Sequence, residues 1–448
     1  MTLLFKVVYR CYRLVFRRWY WAQRRFTRPG LAVMGALILV VLLAPDTDNN
    51  LTYQALPFLL VLLIAAVCLS RLYKASFSAT RQLPRFGTVG YRLEYAVVVK
   101  NLSTRVQRGM TLLENLADPL PSFEEWMAVQ GAEQQMLRSF RISGERQASP
   151  FKRVTGKDSN VPPMPPGQEV DVRVEITPLR RGVLRFAGLT LARPDPLGLF
   201  RALTTVPLPQ TVLILPKRYA LPAIALPGIV KYQEGGVALA ASVGQSDEYV
   251  ALRDYRHGDP LRHIHWRSWA RVGKPVVKEF EDEFFVRHAL VLDTFTNQQQ
   301  SEVFEEAVSV AASFACTLPT QESLLDLLFV GPQSYCFTAG RGVAHVEQML
   351  EILASVRACS AQPFLALEHL VLGHVKAVSG CICVLLAWDE ARRDFIRKLK
   401  ALGVPVLALV IVPPGGEQGM DPGPLSDEPD RFFVLEVGRI ESQLAKLK

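Results

Sequence analysis

At 448 residues the chain is too long for one hydrophobic core and calls for two or three domains. Hydrophobic side chains make up 49% of it and the formal net charge is +9. Thirteen of the 51 Lys and Arg but only two of the 42 acids fall in residues 1–92, so the remainder is close to neutral and a general nucleic-acid role is excluded. The seven cysteines are scattered without a C-x-x-C pair, which argues against a disulfide framework or a zinc site and suits a reducing compartment. No cofactor or small-molecule substrate is expected.

Residues 1–28 form a basic, aromatic segment in which Tyr9, Tyr12, Phe16, Trp19, Tyr20 and Trp21 lie among arginines. Such a mixture settles in the headgroup zone of a bilayer. Residues 31–44 and 51–70 are apolar runs, and a bilayer-spanning helix needs about 20 such residues. With the polar turn at 45–50 between them they predict a transmembrane hairpin over 29–70, with spans about 29–46 and 51–70. An immediate second run and a long basic lead favour this hairpin over a signal peptide. Basic residues flank both runs and none lies in the connector, so both ends are expected in the cytoplasm.

From Tyr91 the apolar period shortens to two: Leu93, Tyr95, Val97 and Val99, then Val170, Val172, Val174 and Ile176. With further runs at 184–191 and 211–215 this predicts an antiparallel β-sandwich-like domain over 88–216. Residues 122–140 are expected as an inserted helix and 149–167, with five prolines, as an exposed loop.

Residues 217–286 read as a linker holding a dense motif at 244–278. Asp259 and Pro260 suit a helix start and Gly273 its stop. On that helix Leu261, Ile264, His265, Ser268 and Val272 would share the buried face. Acids and arginines interleave with Tyr249, Tyr255, Trp266 and Trp269, which no plain solvated face or apolar core requires. Three readings stand. One is a structural clasp of ion pairs. One is a recognition surface built on Arg253, Asp254, Asp259, Arg262, His265, Trp266, Arg267 and Arg271. One is a metal-dependent hydrolase centred on His263, His265 and Asp254, although two helical residues two apart point about 200° apart.

After residue 287 strands and helices alternate to 448, the mark of a mostly parallel sheet covered on both faces. The order resembles a von Willebrand factor A domain. Its metal-site pattern Asp-x-Ser-x-Ser reads here Asp293-Thr294-Phe295-Thr296-Asn297, and Phe295 has no oxygen for a hard cation, which leaves Asp293 as a weak metal candidate. Its other expected role is to cap the following turn.

The run Glu248, Tyr249, Leu252, Arg253, Asp254, Tyr255, Gly258, Asp259, Arg262, Ile264, His265, Trp266, Arg267, Ala270 and Arg271 resembles the signature of the domain-of-unknown-function 58 family. The segment 193–200 (R-P-D-P-L-G-L-F) is similar to the family's R-D-P-F-G-L-F. Trp269 departs from the family, which usually has Ser or Thr there. The resemblance implies a bacterial inner-membrane protein, a multi-domain fold of membrane hairpin, β domain and α/β von Willebrand factor A-like domain, and no established enzymatic activity. It also implies partnership with a MoxR-type AAA ATPase and other von Willebrand factor A proteins, in assembly or maturation of envelope or secreted complexes.

Overall fold

A computed structural model describes residues 2–43, 50–73, 75–117, 120, 123, 126–127, 152–222, 249–257, 259, 261–280, 286–296, 301–317, 323–339, 343–416 and 419–447. The chain divides into two compact units, 1–217 and 218–448.

The first unit opens with three helices, α1 (Thr2–Arg25), α2 (Arg28–Leu43) and α3 (Asn50–Arg71). Among the described residues, one helix is long and apolar enough by length and composition to cross a membrane, over Gln54–Arg71 of α3. The first expected span is a shorter apolar helix, and the connector lies outside the described residues.

Among the described residues nine strands follow: β1 (Phe77–Gln82), β2 (Phe86–Thr88), β3 (Leu93–Asn101), β4 (Met110–Leu116), β5 (Val154–Gly156), β6 (Ser159–Val161), β7 (Glu169–Pro178), β8 (Gly182–Pro194) and β9 (Arg201–Leu215). They form two sheets, ordered β1-β3-β7-β5 and β2-β9-β8-β4-β6. The period-two residues explain why. Leu93, Tyr95, Val97 and Val99 of β3 are all buried, and with Val172, Val174 and Ile176 they meet Leu184, Phe186, Leu189 and Leu191 of the other sheet in one core. One polar network crosses that core. Arg81 on β1 binds Glu114 on β4 at 2.6 Å, Tyr95 donates to the same carboxylate at 2.9 Å, and the guanidinium lies 4.5 Å over the Phe186 ring. Burial pushes the Glu114 carboxyl upward, and Arg81 works against that rise.

Strands begin at Phe77, before the expected boundary at 88. The 149–167 stretch holds β5 and β6 where a loop is expected, because short edge strands tolerate nearby proline. Most of the expected helix at 122–140 lies outside the described residues.

The segment 193–200 is a tight turn docked on the helices. Asp195 accepts from the Leu199 and Phe200 amides at 2.7 Å each and from the Leu197 amide at 3.0 Å. Gly198 has φ 69°, which glycine adopts without strain. The turn thereby aims the Leu199 carbonyl outward to the Thr27 amide at 3.1 Å, and Gly198 O to the Thr27 hydroxyl at 2.5 Å. Leu199 and Phe200 bury against Phe26, Val33, Leu62, Ala66 and Val67 of the helical region.

In the second unit β10 (Tyr249–Asp254) and β11 (Val276–Phe280) form an antiparallel pair, with α4 (Trp266–Val272) between them in sequence. Then come β12 (Val286–Leu292), α5 (Glu302–Thr317), β13 (Ser323–Val330), β14 (Ser334–Ala339), α6 (Val343–Ser355), α7 (Leu365–His374), β15 (Gly380–Leu385), α8 (Glu390–Ala401), β16 (Val406–Val412), β17 (Phe432–Glu436) and α9 (Ile440–Leu444). The six-stranded sheet has order β14-β13-β12-β15-β16-β17, parallel except for β14. β15 and β16 are buried at every residue, as strands covered on both faces must be.

Gly30 makes the approach of α2 to the 193–200 turn possible, since a Cβ there would lie 1.9 Å from Leu199 O. Gly30→Ala gains about 1 kcal/mol of helix propensity, yet overpacking against main chain costs ~1–3 kcal/mol. The expected result is a lower unfolding midpoint for the detergent-solubilised chain. Gly35→Ala, which meets nothing within 4 Å, should leave the midpoint unchanged or raise it.

Candidate functional site

The 249–280 hairpin is built around one carboxylate. The Arg253 guanidinium grips Asp259 with both nitrogens, at 2.7 and 2.8 Å, and the Arg256 amide donates to the same side chain at 2.8 Å. Bidentate, charge-assisted bonds of this kind fix geometry as well as charge. The Arg253 hydrogen bond, with help from the Arg256 amide, holds the Asp259 carboxyl down to about 2.

A single helix from Asp259 to Gly273 does not form. A short 3-10 turn at Leu261–His263 gives way to Ile264, which bridges Val277, and the His265 amide donates to Val276 O at 2.8 Å. Asp259 is already engaged by Arg253 and Arg256, so it cannot cap a helix. The helix starts instead at Trp266, and Gly273 stops it with φ 70° and its amide on Trp269 O. The buried face shrinks accordingly. Ile264 is buried, whereas Leu261 and Val272 are 69% and 62% exposed.

What the hairpin presents outward is aromatic and cationic. Trp266 is 64% exposed and stacks on Trp269 at 5.1 Å with an interplanar angle of 19°. Arg256, Arg267, Arg271 and Lys274 are exposed, as is Asp254. His265 is half-buried, with Nδ1 2.7 Å from the Ser268 hydroxyl. Gly258, Pro260 and the Arg262 side chain lie outside the described residues. The structure thus brings Arg253 and Asp259 together, and sets Trp266, Arg267 and Arg271 on one short helix. Among the described residues there is no group of three or more His, Cys, Asp or Glu that could hold a metal ion, at His263 and His265 or elsewhere.

A second polar centre lies in the six-stranded sheet. From β12 the strand order runs one way to β13 and the other way to β15, which makes a topological switch point outside their carboxyl ends. Asp293 follows β12 there and is fully buried. Its Oδ1 accepts the Phe295 amide at 2.9 Å, and its Oδ2 accepts Arg392 Nε at 2.8 Å and the Leu386 amide at 3.1 Å. Arg392 also binds Asp389 at 2.6 Å and lies 4.6 Å over the Phe364 ring. Burial pushes the Asp293 carboxyl upward, and Arg392 and the two amides work against that rise. Burial also disfavours charge on Arg392, and Asp293 and Asp389 outweigh it, so its pKa lies above the ordinary value. This donor set fits a guanidinium better than a hard divalent cation, because Arg392 supplies the positive charge and Phe295 offers no oxygen. Asp293 does cap its own turn, through the Phe295 amide. Sequence reasoning missed Arg392, whose only signal is its place three residues after Asp389 at the start of α8.

Removing one partner of such a pair strands a buried charge. Arg392→Met alone should lower the unfolding free energy of the full chain by ~3–5 kcal/mol. Asp293→Asn with Arg392→Met should cost less than the two single changes added together. Denaturant titration in detergent measures both; additive losses would show that the pair is not coupled.

The chain is 28% identical over 193 residues to the uncharacterized protein YeaD of Bacillus subtilis (strain 168), covering 42% of this chain and 46% of that protein. It thus spans about half the length of the relative it matches. Among solved structures, a CARDB domain from Pyrococcus furiosus aligns at 16% identity and TM-score 0.18 over 31% of this chain and 93% of that one. A cohesin module of a Clostridium perfringens family 33 glycoside hydrolase aligns at 12% and 0.15, over 32% and 98%. Scores of this size support no argument about fold. Residues 251–420, which hold most of the hairpin and the sheet through β16, match the family described as protein of unknown function DUF58.

Proposed function

We propose that the chain is a membrane-anchored, non-enzymatic scaffold that docks a protein partner on the outward face of the 249–280 hairpin. The observation that carries this reading is the exposed Trp266, stacked on Trp269 along a short helix that also exposes Val272, Arg267 and Arg271. Large aromatics and arginines are the usual anchors of protein interfaces. The Arg253–Asp259 brace holds the hairpin in shape, which reduces the ordering cost of binding.

The family resemblance supplies the partner class: a MoxR-type AAA ATPase or another von Willebrand factor A protein, in assembly or maturation of envelope or secreted complexes. The same reading takes the six-stranded unit as von Willebrand factor A-like, on its strand order and the position of Asp293. It places the protein in a bacterial inner membrane as a two-span anchor, with the N-terminus and the C-terminal domains cytoplasmic. The apolar α2 and α3 and the cluster of basic residues before α2 support that topology.

Affinity purification of the full chain from cross-linked membranes should recover such an ATPase. Trp266→Ala with Leu261→Ser should cut recovery by about thirtyfold, the loss of ~2 kcal/mol typical of one anchor, with the unfolding midpoint unchanged. Leu402→Ser, also at an exposed position of this unit, is the control. Equal recovery from all three proteins sinks the docking reading. For the topology, a reporter fused after Lys448 should be active only in the cytoplasm, and periplasmic activity would exclude an ATPase partner.

A further inference from the structure

The face of α1 that carries most of its aromatic rings is turned inward. Tyr9 meets Phe123 at 5.3 Å and Trp126 at 5.7 Å, Tyr12 meets Trp126 at 6.2 Å, and Phe16 stacks on Tyr20 at 6.2 Å. Trp126 is buried. Tyr9 and Tyr12 therefore belong to the packing of the first unit, and Phe16 and Tyr20, both half-buried, continue the same face of the helix.

At 100° per residue the rest of the helix sorts into two further arcs. Val7, Val8, Leu14, Val15, Trp19 and Trp21 share a broad outward strip, and each is 45–69% exposed. Lys6, Arg10, Arg13 and Arg17 line one margin of that strip and are exposed, and Arg18 is exposed within it. The helix has no acidic residue. An apolar strip with a cationic margin is the pattern of a helix lying in a membrane interface, where Arg stems snorkel to the headgroups. A second copy of the chain is a poor occupant, since like-charged margins would face each other. A bilayer is also close at hand in the sequence: α1 passes through Phe26 and Thr27 into α2 and then α3, the helix long enough to cross a membrane.

We propose that α1 is a surface-seated helix that binds acidic phospholipid, burying the Val7–Val8–Leu14–Val15–Trp19 strip among acyl chains and setting Lys6, Arg10, Arg13 and Arg17 on anionic headgroups. Binding here would orient the first unit against the leaflet independently of any protein partner. The proposal rests on the membrane reading only in needing the chain to be anchored in a bilayer.

The test is hydrogen exchange of the full chain in nanodiscs of phosphatidylcholine alone and of phosphatidylcholine with phosphatidylglycerol. Amides of residues 7–21 should exchange at least ~10-fold more slowly in the anionic discs. Each exposed cation near a charged surface contributes roughly fivefold in partition. Arg10→Gln, Arg13→Gln and Arg17→Gln together should therefore remove the difference, and so should high salt. Val15→Glu should also remove it, while exchange in β3 and β8 reports an intact domain. Equal exchange in the two lipids overturns the proposal but leaves the anchor standing. Failure of the full chain to enter discs of either composition overturns both.

Discussion

An acid taken out of water must be met by charge-assisted donors, or it loses its charge or the fold. This chain uses that requirement repeatedly to hold irregular backbone in place. Glu114 meets Arg81 between two sheets, Asp195 meets three main-chain amides in a turn, Asp259 meets both nitrogens of Arg253, and Asp293 meets Arg392 and two amides. Asp195, Asp259 and Asp293 each stand where regular hydrogen bonding stops, whereas Glu114 lies within β4. Without the carboxylate, the amides of Leu199, Phe200 and Leu386 would lose the partner that answers them.

The Asp195 and Asp259 cases bear on the proposed function. In both, the acid orders a short loop whose use lies in what it then presents. The 193–200 turn presents the Leu199 carbonyl to Thr27, and so joins a β domain to the base of a helical region. The hairpin presents a tryptophan pair. A loop held by bidentate bonds has already lost most of the freedom that a partner would otherwise have to remove.

Parts of this were legible and parts were not, for physical reasons. The alternation Leu93, Tyr95, Val97, Val99 is readable because one face of β3 meets the core and the other does not. The turn chemistry of Gly273 is equally local. Helix α7 was not legible, since L-A-L-E-H-L-V-L-G-H shows no clear polar face, and period fails where a helix is apolar nearly all round. The break before Trp266 was hidden too. Asp259 followed by Pro260 is a sound helix start, and the claims of Arg253, six residues earlier, and of the Arg256 amide on that carboxylate divert it. Arg392 was hidden in a run of charges on α8 that reads as solvated, although it lies under Asp293, 99 positions away.

The distribution of exposed apolar surface carries the remaining argument. Tryptophans meant for the interior are easy to recognise, for Trp126 packs on Tyr9 and Tyr12, and Trp388 on Phe432 with its indole N–H on Asp421 O. Trp19, Trp21 and Trp266 are different, each more than half exposed. Much of the large exposed apolar surface gathers on α1, on α2 and α3, and on the hairpin, not in single scattered side chains. Around α1 and the hairpin the margins are mainly arginine and lysine, with few carboxylates. A matching surface must therefore be apolar at its centre and negative at its rim. An acidic leaflet meets that description for a long helix with a continuous strip. A folded protein with an acidic collar meets it for a compact, braced hairpin, because a flat bilayer gains little from one seven-residue helix and a stacked indole pair.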